Sequence, residues 1–341
     1  MASTASAFPT RPLGRTGMAL TRVGFGAWAI GGSGWSHGWG AQDDADSIAA
    51  IRRAVDLGVN WIDTAAIYGL GHSEEVVARA LADIPKSERP FVFTKGGLVW
   101  DENDRAAAPR LVGAPDSLQR EVEASLRRLR TDCIDLYQMH WPAQDGTPLE
   151  EYWQALLDLK QAGKLRAVGL SNHDAGQLEA AARLGHVDSL QPPFSAIRRG
   201  AAESVLPWCA AHGTGVIVYS PMQSGLLTGA FSAERAASLP ADDWRSQSDD
   251  FRGDGLARNL ALAEALGDVA AKHATSTASI ACAWTLAWPG VTGAIVGARN
   301  AEQVDGWIDA AIRVLDSQDL DFIGEAIART GAGYGPTRPQ H

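Results

Sequence analysis

Eight short runs along the chain are almost wholly apolar, and each gives way to a stretch whose apolar residues recur every three or four positions. The runs are TRVGFGA (21–27), VNWID (59–63), FVFTK (91–95), IDLYQM (134–139), RAVGL (166–170), VDSLQ (187–191), GVIVY (215–219) and GAIVG (293–297). Runs that are apolar at nearly every position, rather than at alternate ones, suit parallel strands covered on both faces. Between them, DADSIAAIRRAVDLG (44–58) carries Ile48, Ile51, Val55 and Leu57 on one helical stripe, with Gly58 placed to end the helix. The segments 117–129 and 150–163 repeat that logic, and Asp174 stands where a side chain would cap the helix DAGQLEAAARLG.

Eight strand–helix repeats with right-handed crossovers predict an α/β fold of the (β/α)8 TIM-barrel type. TRPLGRTGMALT predicts a short hairpin ahead of the first barrel strand. The connection 220–275 is too long for one strand-to-helix loop, and it holds the polar section SLPADDWRSQSDDF. The barrel is expected to occupy 13–329, with 1–12 and 330–341, rich in Gly, Pro and polar residues, as flexible termini. A doubly wound sheet is the alternative architecture; it requires a switch in strand order that a sequence does not display.

Composition narrows the function classes. The net charge of -10 argues against a nucleic-acid partner, which calls for a basic face. No apolar run of membrane-spanning length occurs, and the N-terminus lacks the basic-then-apolar pattern of a secretory leader, so no membrane association is expected. Cys133, Cys209 and Cys282 are far apart and form no CxxC pair, which fits reduced thiols and a cytoplasmic location.

In a parallel barrel the chemistry gathers at the C-terminal ends of the strands. There the sequence places Asp63 and Tyr68, Lys95, His140, Ser171 and Asn172, Gln191, Tyr219, and Gly297 with Arg299. Taken singly, Asp63 suits a turn, Lys95 a paired surface lysine, His140 a hydrogen-bonded loop residue and Tyr68 a half-buried packing residue. Together they make a coherent acid–base set. A phenol is a poor acid near neutrality. A neighbouring ammonium favours the phenolate, a carboxylate keeps the ammonium charged, and a neutral imidazole orients a carbonyl. No HExxH, CxxC or His–carboxylate cluster with metal-ligand spacing is present, so no metal is expected.

The motifs DTAAIYGLGHSE, FTKGG, YQMHWP, GLSNH, SLQPPFS, VYSPMQSGLLTG and IVGARNAEQV together resemble those of the aldo-keto reductase superfamily over nearly the whole chain. The resemblance implies a catalytic tetrad of Asp63, Tyr68, Lys95 and His140, with Tyr68 as general acid in reduction and general base in oxidation. It also implies a nicotinamide cofactor extended across the barrel mouth. Ser171, Asn172 and Gln191 would meet the carboxamide, Tyr219 would stack on the ring, and Gly26 and Ala27 would line the cofactor near Asp63. Ser220, Pro221, Met222, Ser224, Gly225 and Leu227 would wrap the pyrophosphate, largely through backbone N–H groups. Gly297, Ala298, Arg299 and Gln303 would meet the adenosine phosphate, with Arg299 suited to a 2′-phosphate. Where the family often carries a second basic residue or a serine, and a Glu–Asn pair at the adenine, this chain has Ala298, Gly306 and Trp307. NADP(H) is therefore the expected cofactor, with NAD(H) as the alternative.

The chain has 12 tryptophans. Trp28, Trp35, Trp39, Trp100, Trp141 and Trp244 all follow strands. With Tyr68 and His140, the loop residues Trp28, Trp35, Trp100 and Trp141 are the expected walls of a pocket for a bulky or carbohydrate-like carbonyl compound. Three readings follow for a monomer or homo-oligomer of this kind. The first is an NADPH-dependent reductase of aldehydes or ketones, or the same machinery run backwards as an NAD(P)-dependent dehydrogenase of sugars or secondary alcohols. The second is a cofactor-sensing binding subunit of the same fold. The third is a barrel isomerase or aldolase using Lys95 as a Schiff base, which the charge-holding Asp63 disfavours.

Overall fold

The computed structural model describes residues 8–240 and 243–339. In chain order the strands are β1 (Thr10–Pro12), β2 (Ala19–Thr21), β3 (Val23–Gly26), β4 (Trp61–Asp63), β5 (Phe91–Gly96), β6 (Leu98–Val99), β7 (Arg110–Leu111), β8 (Ile134–Met139), β9 (Leu165–Ser171), β10 (Ser189–Gln191), β11 (Gly215–Val218) and β12 (Val291–Gly297). Strands β3, β4, β5, β8, β9, β10, β11 and β12 pair in that order, all parallel, and β12 returns to β3 to close a barrel. The eight barrel strands are the eight apolar runs, trimmed or extended by a few residues at their ends. A closed sheet has no strand-order switch, which removes the doubly wound alternative.

The strands β1 and β2 form the expected antiparallel hairpin. Leu13, Met18 and Leu20 of this hairpin pack with Trp61, Phe93, Leu136, Ala167, Ile217 and Ile295 as one buried cluster inside the barrel. Trp61 fits there because its neighbours have no side chains. A Cβ at Gly24 would fall 2.2 Å from the Trp61 ring, and one at Gly293 would fall 2.8 Å from it. Its indole Nε1 donates to the Thr21 carbonyl at 2.8 Å, so the large ring leaves no polar atom unpaired.

Outside the barrel, helices cover the strands with their apolar stripes. The helix Asp44–Asp56 buries Ala50, Ile51 and Ala54, begins at Asp43, whose side chain accepts the Ala45 and Asp46 N–H groups, and is followed by Gly58 at φ 103°. Asp174 caps Ala175–Ala182 in a reciprocal capping box with Gln177. The long connection after β11 is largely structured. It carries the short helix Ala233–Ala237, then Gly253–Lys272 and Thr277–Leu286 before β12.

The described part of the C-terminal tail, up to residue 339, makes specific contacts with the barrel. Arg199 donates from Nε to the Gly335 carbonyl at 3.1 Å and from Nη1 to the Ala332 carbonyl at 3.1 Å. The Tyr334 N–H bonds to the Ile197 carbonyl, and Arg338 pairs with Asp321. Backbone groups need partners once they are covered, and here the tail and the loop before the helix Val205–His212 satisfy each other. At the other end Phe8 packs on the core and Arg11 bonds to the Leu286 and Val291 carbonyls, and the rest of that expected terminus, residues 1–7, lies outside the described residues.

Candidate active site

Register places the polar strand ends side by side. Gly26 pairs with Asp63, Lys95 with Gln138, Gln138 with Gly169, Ser171 with Gln191, and Gly297 with Gly26. Lys95 is fully buried, and its ammonium donates to Asp63 Oδ1 at 2.5 Å and to the Thr64 carbonyl at 3.0 Å. The other oxygen of Asp63 accepts from Gln191 Nε2 at 2.9 Å. Residues 64–68 fold back over β5, with the Ala66 N–H bonded to the Lys95 carbonyl and the Tyr68 N–H to the Ala65 carbonyl. This turn sets the Tyr68 ring with its centroid 5.3 Å from Lys95 Nζ. His140 follows β8, its N–H held by the Gly96 carbonyl, and its ring stands edge-on to Tyr68 at 5.8 Å between centroids. The four residues expected as a tetrad are thus brought together.

Burial raises Asp63 above the ordinary carboxylate range, and Lys95 and Gln191 oppose that rise. Burial lowers Lys95, and Asp63 opposes that fall, so each partner supports the charge of the other. His140 is held well below its usual value by burial, then by Lys95 and His37, which keeps the imidazole neutral. Its Nδ1 is buried without a partner, leaving Nε2 as the nitrogen available to a ligand. Tyr68 differs from the expectation. Burial, and then the Asp63 charge, push the phenol well above its ordinary value, so desolvation outweighs the lowering expected from the ammonium.

Behind this group lies a second network. Asn172 adopts φ 61°, and its amide donates to the His140 carbonyl at 2.9 Å and to Ser171 Oγ at 3.1 Å. The Tyr219 hydroxyl donates to Asn172 Oδ1 at 2.8 Å, and Ser171 Oγ donates to the Gln191 carbonyl at 2.9 Å. His173 supports the kink from below. Its Nδ1 lies 2.8 Å from the Ser171 carbonyl and its Nε2 lies 2.8 Å from the Tyr152 hydroxyl. The only neutral tautomer that serves both contacts donates from Nδ1 and accepts at Nε2. Burial agrees, lowering His173 to about 4. Tyr152 did not stand out in the sequence because it lies within a helix, and His173, although part of the GLSNH motif, carried no assigned role.

A cavity of about 920 Å³ runs from Tyr68 and His140 across the barrel mouth to Arg299, Gln303 and Trp307. Of the residues expected at the cofactor, Gly26, Ala27, Asp63, Ser171, Asn172, Gln191, Tyr219, Ser220, Pro221, Met222, Ser224, Gly225, Gly297, Ala298, Arg299 and Gln303 all line it. Leu227 does not: it is fully buried in the core. The loop expected at a pyrophosphate also offers fewer free donors than expected. The N–H groups of Gln223, Gly225, Leu226 and Leu227 bond to carbonyls at 220, 222 and 223, closing tight turns with φ of 57° at Ser220, 45° at Gln223 and 52° at Ser224.

Trp28, Trp35 and Trp141 line the cavity, and Trp28 stacks on Tyr68 at 6.2 Å between centroids. Trp100 was expected to line the pocket as well; instead it packs against the cluster of Trp35, Ala65, Ile67 and Leu98 and stays off the cavity wall. Trp244 pairs edge-on with Phe251 on the outer loop. The wall also includes His37, Trp39, Leu98, Leu111, Arg235 and Arg245, which had no assigned role. Arg245 sits 5.1 Å over the Trp39 ring while paired with Asp243, so two distant loops meet above the cavity.

The profile of the Aldo/keto reductase family matches residues 22–328. The chain is 34% identical over 319 residues to "Aldo-keto reductase YhdN" of Bacillus subtilis (strain 168), covering 92% of each. It is 34% identical over 325 residues to the "NADH-specific methylglyoxal reductase" of Escherichia coli (strain K12), covering 92% of this chain and 97% of that one. The solved glycerol dehydrogenase AKR11B4 from Gluconobacter oxydans superposes with a TM-score of 0.87 at 35% identity, over 98% of this chain and 99% of the other.

Proposed function

The chain belongs to the aldo/keto reductase family, and from the cluster of Asp63, Tyr68, Lys95 and His140 we propose that it reduces an aldehyde or ketone to an alcohol, with NADPH as hydride donor and Tyr68 as proton donor. The observation that carries this reading is Lys95, fully buried, bonded to Asp63 at 2.5 Å and set 5.3 Å from the Tyr68 ring.

The cavity fits a dinucleotide. Its middle is walled by Gly26, Ala27, Gly297 and Ala298, which keep the floor low, and a Cβ at Gly225 would meet nothing within 4 Å. Trp39 lines the same wall, and its Nε1 is buried without a partner. Ser171, Asn172, Gln191 and Tyr219 would hold the nicotinamide end, Ser220 to Gly225 the pyrophosphate, and Arg299 and Gln303 the adenosine phosphate. When bound, the cofactor supplies the hydride.

The remaining steps belong to the protein. A neutral His140 donates from Nε2 to the carbonyl oxygen and orients it. The Tyr68 hydroxyl delivers its proton to the same oxygen. The phenolate left behind faces the Lys95 ammonium, and Asp63 holds that ammonium charged in a site where a lone lysine would tend to neutralise. Trp28, Trp35 and Trp141 limit water at the mouth and favour an uncharged substrate with a flat or apolar face. Oxidation of an alcohol uses the same residues with Tyr68 as base, and the similarity to a glycerol dehydrogenase favours testing that direction too.

The test is steady-state turnover on aldehydes, ketones, sugars and polyols with each nicotinamide cofactor. Turnover of at least one carbonyl or alcohol class is expected. Tight cofactor binding with no turnover on any class would overturn this reading in favour of a cofactor-sensing binding subunit.

A further inference from the structure

At the far end of the cavity Arg299 is already engaged. Its Nε donates to Gln42 Oε1 at 2.7 Å, and its Nη2 donates to the Ala41 carbonyl. Those two N–H groups share one edge of the guanidinium, an edge that grips two oxygens at once. Gln42 returns the contact, donating from Nε2 to the Arg299 carbonyl at 2.7 Å, and the same amide donates to Ser47 Oγ at 3.0 Å in the first turn of the helix Asp44–Asp56. The Arg299 N–H is held in turn by Gln303 Oε1 at 2.9 Å. Gln42 is therefore a braced partner rather than a loose surface amide.

The other cations on the described cavity wall do not replace Arg299. Arg245 is paired with Asp243 at 2.6 Å, and Arg235 is exposed beside Phe231. We propose that Gln42 is a cofactor-specificity residue: by occupying the Nε/Nη2 edge of Arg299 it competes with a 2′-phosphate, so that NAD(H) is bound nearly as well as NADP(H). The proposal rests on reading the cavity as a dinucleotide site. A bound 2′-phosphate must either displace Gln42 and Ala41 or accept the remaining Nη1 side, whereas a ribose hydroxyl makes no such demand.

The test is titration calorimetry of the intact protein with NADP+ and with NAD+, comparing wild type, Gln42→Ala, Gln42→Glu and the double variant Gln42→Ala/Arg299→Ala. Removing the competing amide is expected to tighten NADP+ by about tenfold with NAD+ changed by less than about twofold, and the carboxylate at 42 is expected to weaken NADP+ by about tenfold. The gain should vanish when Arg299 is also removed. If wild type binds neither nucleotide, the dinucleotide reading falls and this proposal falls with it. If both bind but Gln42→Ala leaves NADP+ unchanged, shifts both nucleotides alike, or keeps its gain without Arg299, the specificity role alone is overturned.

Discussion

The two ends of the same eight strands obey opposite rules. At the N-terminal end the hairpin residues Leu13, Met18 and Leu20 close the barrel over Trp61 and Phe93, an apolar cluster in which the indole N–H of Trp61 finds a carbonyl. At the C-terminal end a lysine and an aspartate are buried together, His140 Nδ1 lacks a partner, and Asn172, Ser220, Gln223 and Ser224 adopt positive φ without being glycine. Burial stabilises the closed end directly. At the open end burial costs stability and yields perturbed acids and bases, a pattern expected where a protein accepts local strain for chemistry.

Substitutions that act on one end only are the way to break this contrast. Lys95→Met has the largest expected effect because it strikes both properties. It leaves Asp63 buried and unpaired, at a cost of about 3–5 kcal/mol in denaturant unfolding, and it abolishes turnover. Trp61→Ala at the closed end should cost a similar 3–5 kcal/mol or so by the cavity it opens, while the kcat of the folded fraction stays near wild type. Gly24→Ala drives a methyl into the Trp61 ring and should cost about 1–3 kcal/mol with the same silence in kcat. A loss of kcat in either closed-end variant would show that the ends are coupled.

Smaller effects sharpen the picture at the open end. Tyr219→Phe removes the bond to Asn172 and should weaken cofactor binding by about fivefold, equivalent to one net hydrogen bond of about 1 kcal/mol, read by fluorescence titration. The pH dependence follows from the raised Tyr68 value. A phenol held well above its ordinary value stays protonated through neutral pH, so the kcat of reduction should be flat there and fall only in the alkaline range. Oxidation needs the deprotonated form, so its kcat should rise with pH over the same range. A reduction rate that falls between neutral and mildly alkaline pH would contradict that assignment.

The barrel was legible because strands covered on both faces must be apolar at nearly every position, and the gathering of Asp63, Tyr68, Lys95 and His140 at one mouth was legible because they stand at or just after strand ends. Asp63, Lys95 and His140 could be placed by counting to the end of a run. What stayed hidden depends on contacts between loops far apart in sequence. Gln42 and Arg299, or Trp39 and Arg245, meet only because two connections cross the same mouth. The orientations of Trp100 and Leu227 were equally unreadable, since a loop residue turned toward the core or toward a cavity has the same apolar signature. The strength of desolvation at Tyr68 was missed for a related reason. A charged neighbour can be read from residue types, but the depth at which both are buried cannot.

The most direct test of the central claim is a paired measurement on Tyr68→Phe: equilibrium binding of the cofactor, and single-turnover reduction of the best carbonyl substrate. Loss of the proton donor alone should leave binding and thermal stability within about twofold and about a degree of wild type, while the reduction step slows by about 10³-fold. Near-wild-type reduction in that variant would contradict the assignment of Tyr68 as the proton donor.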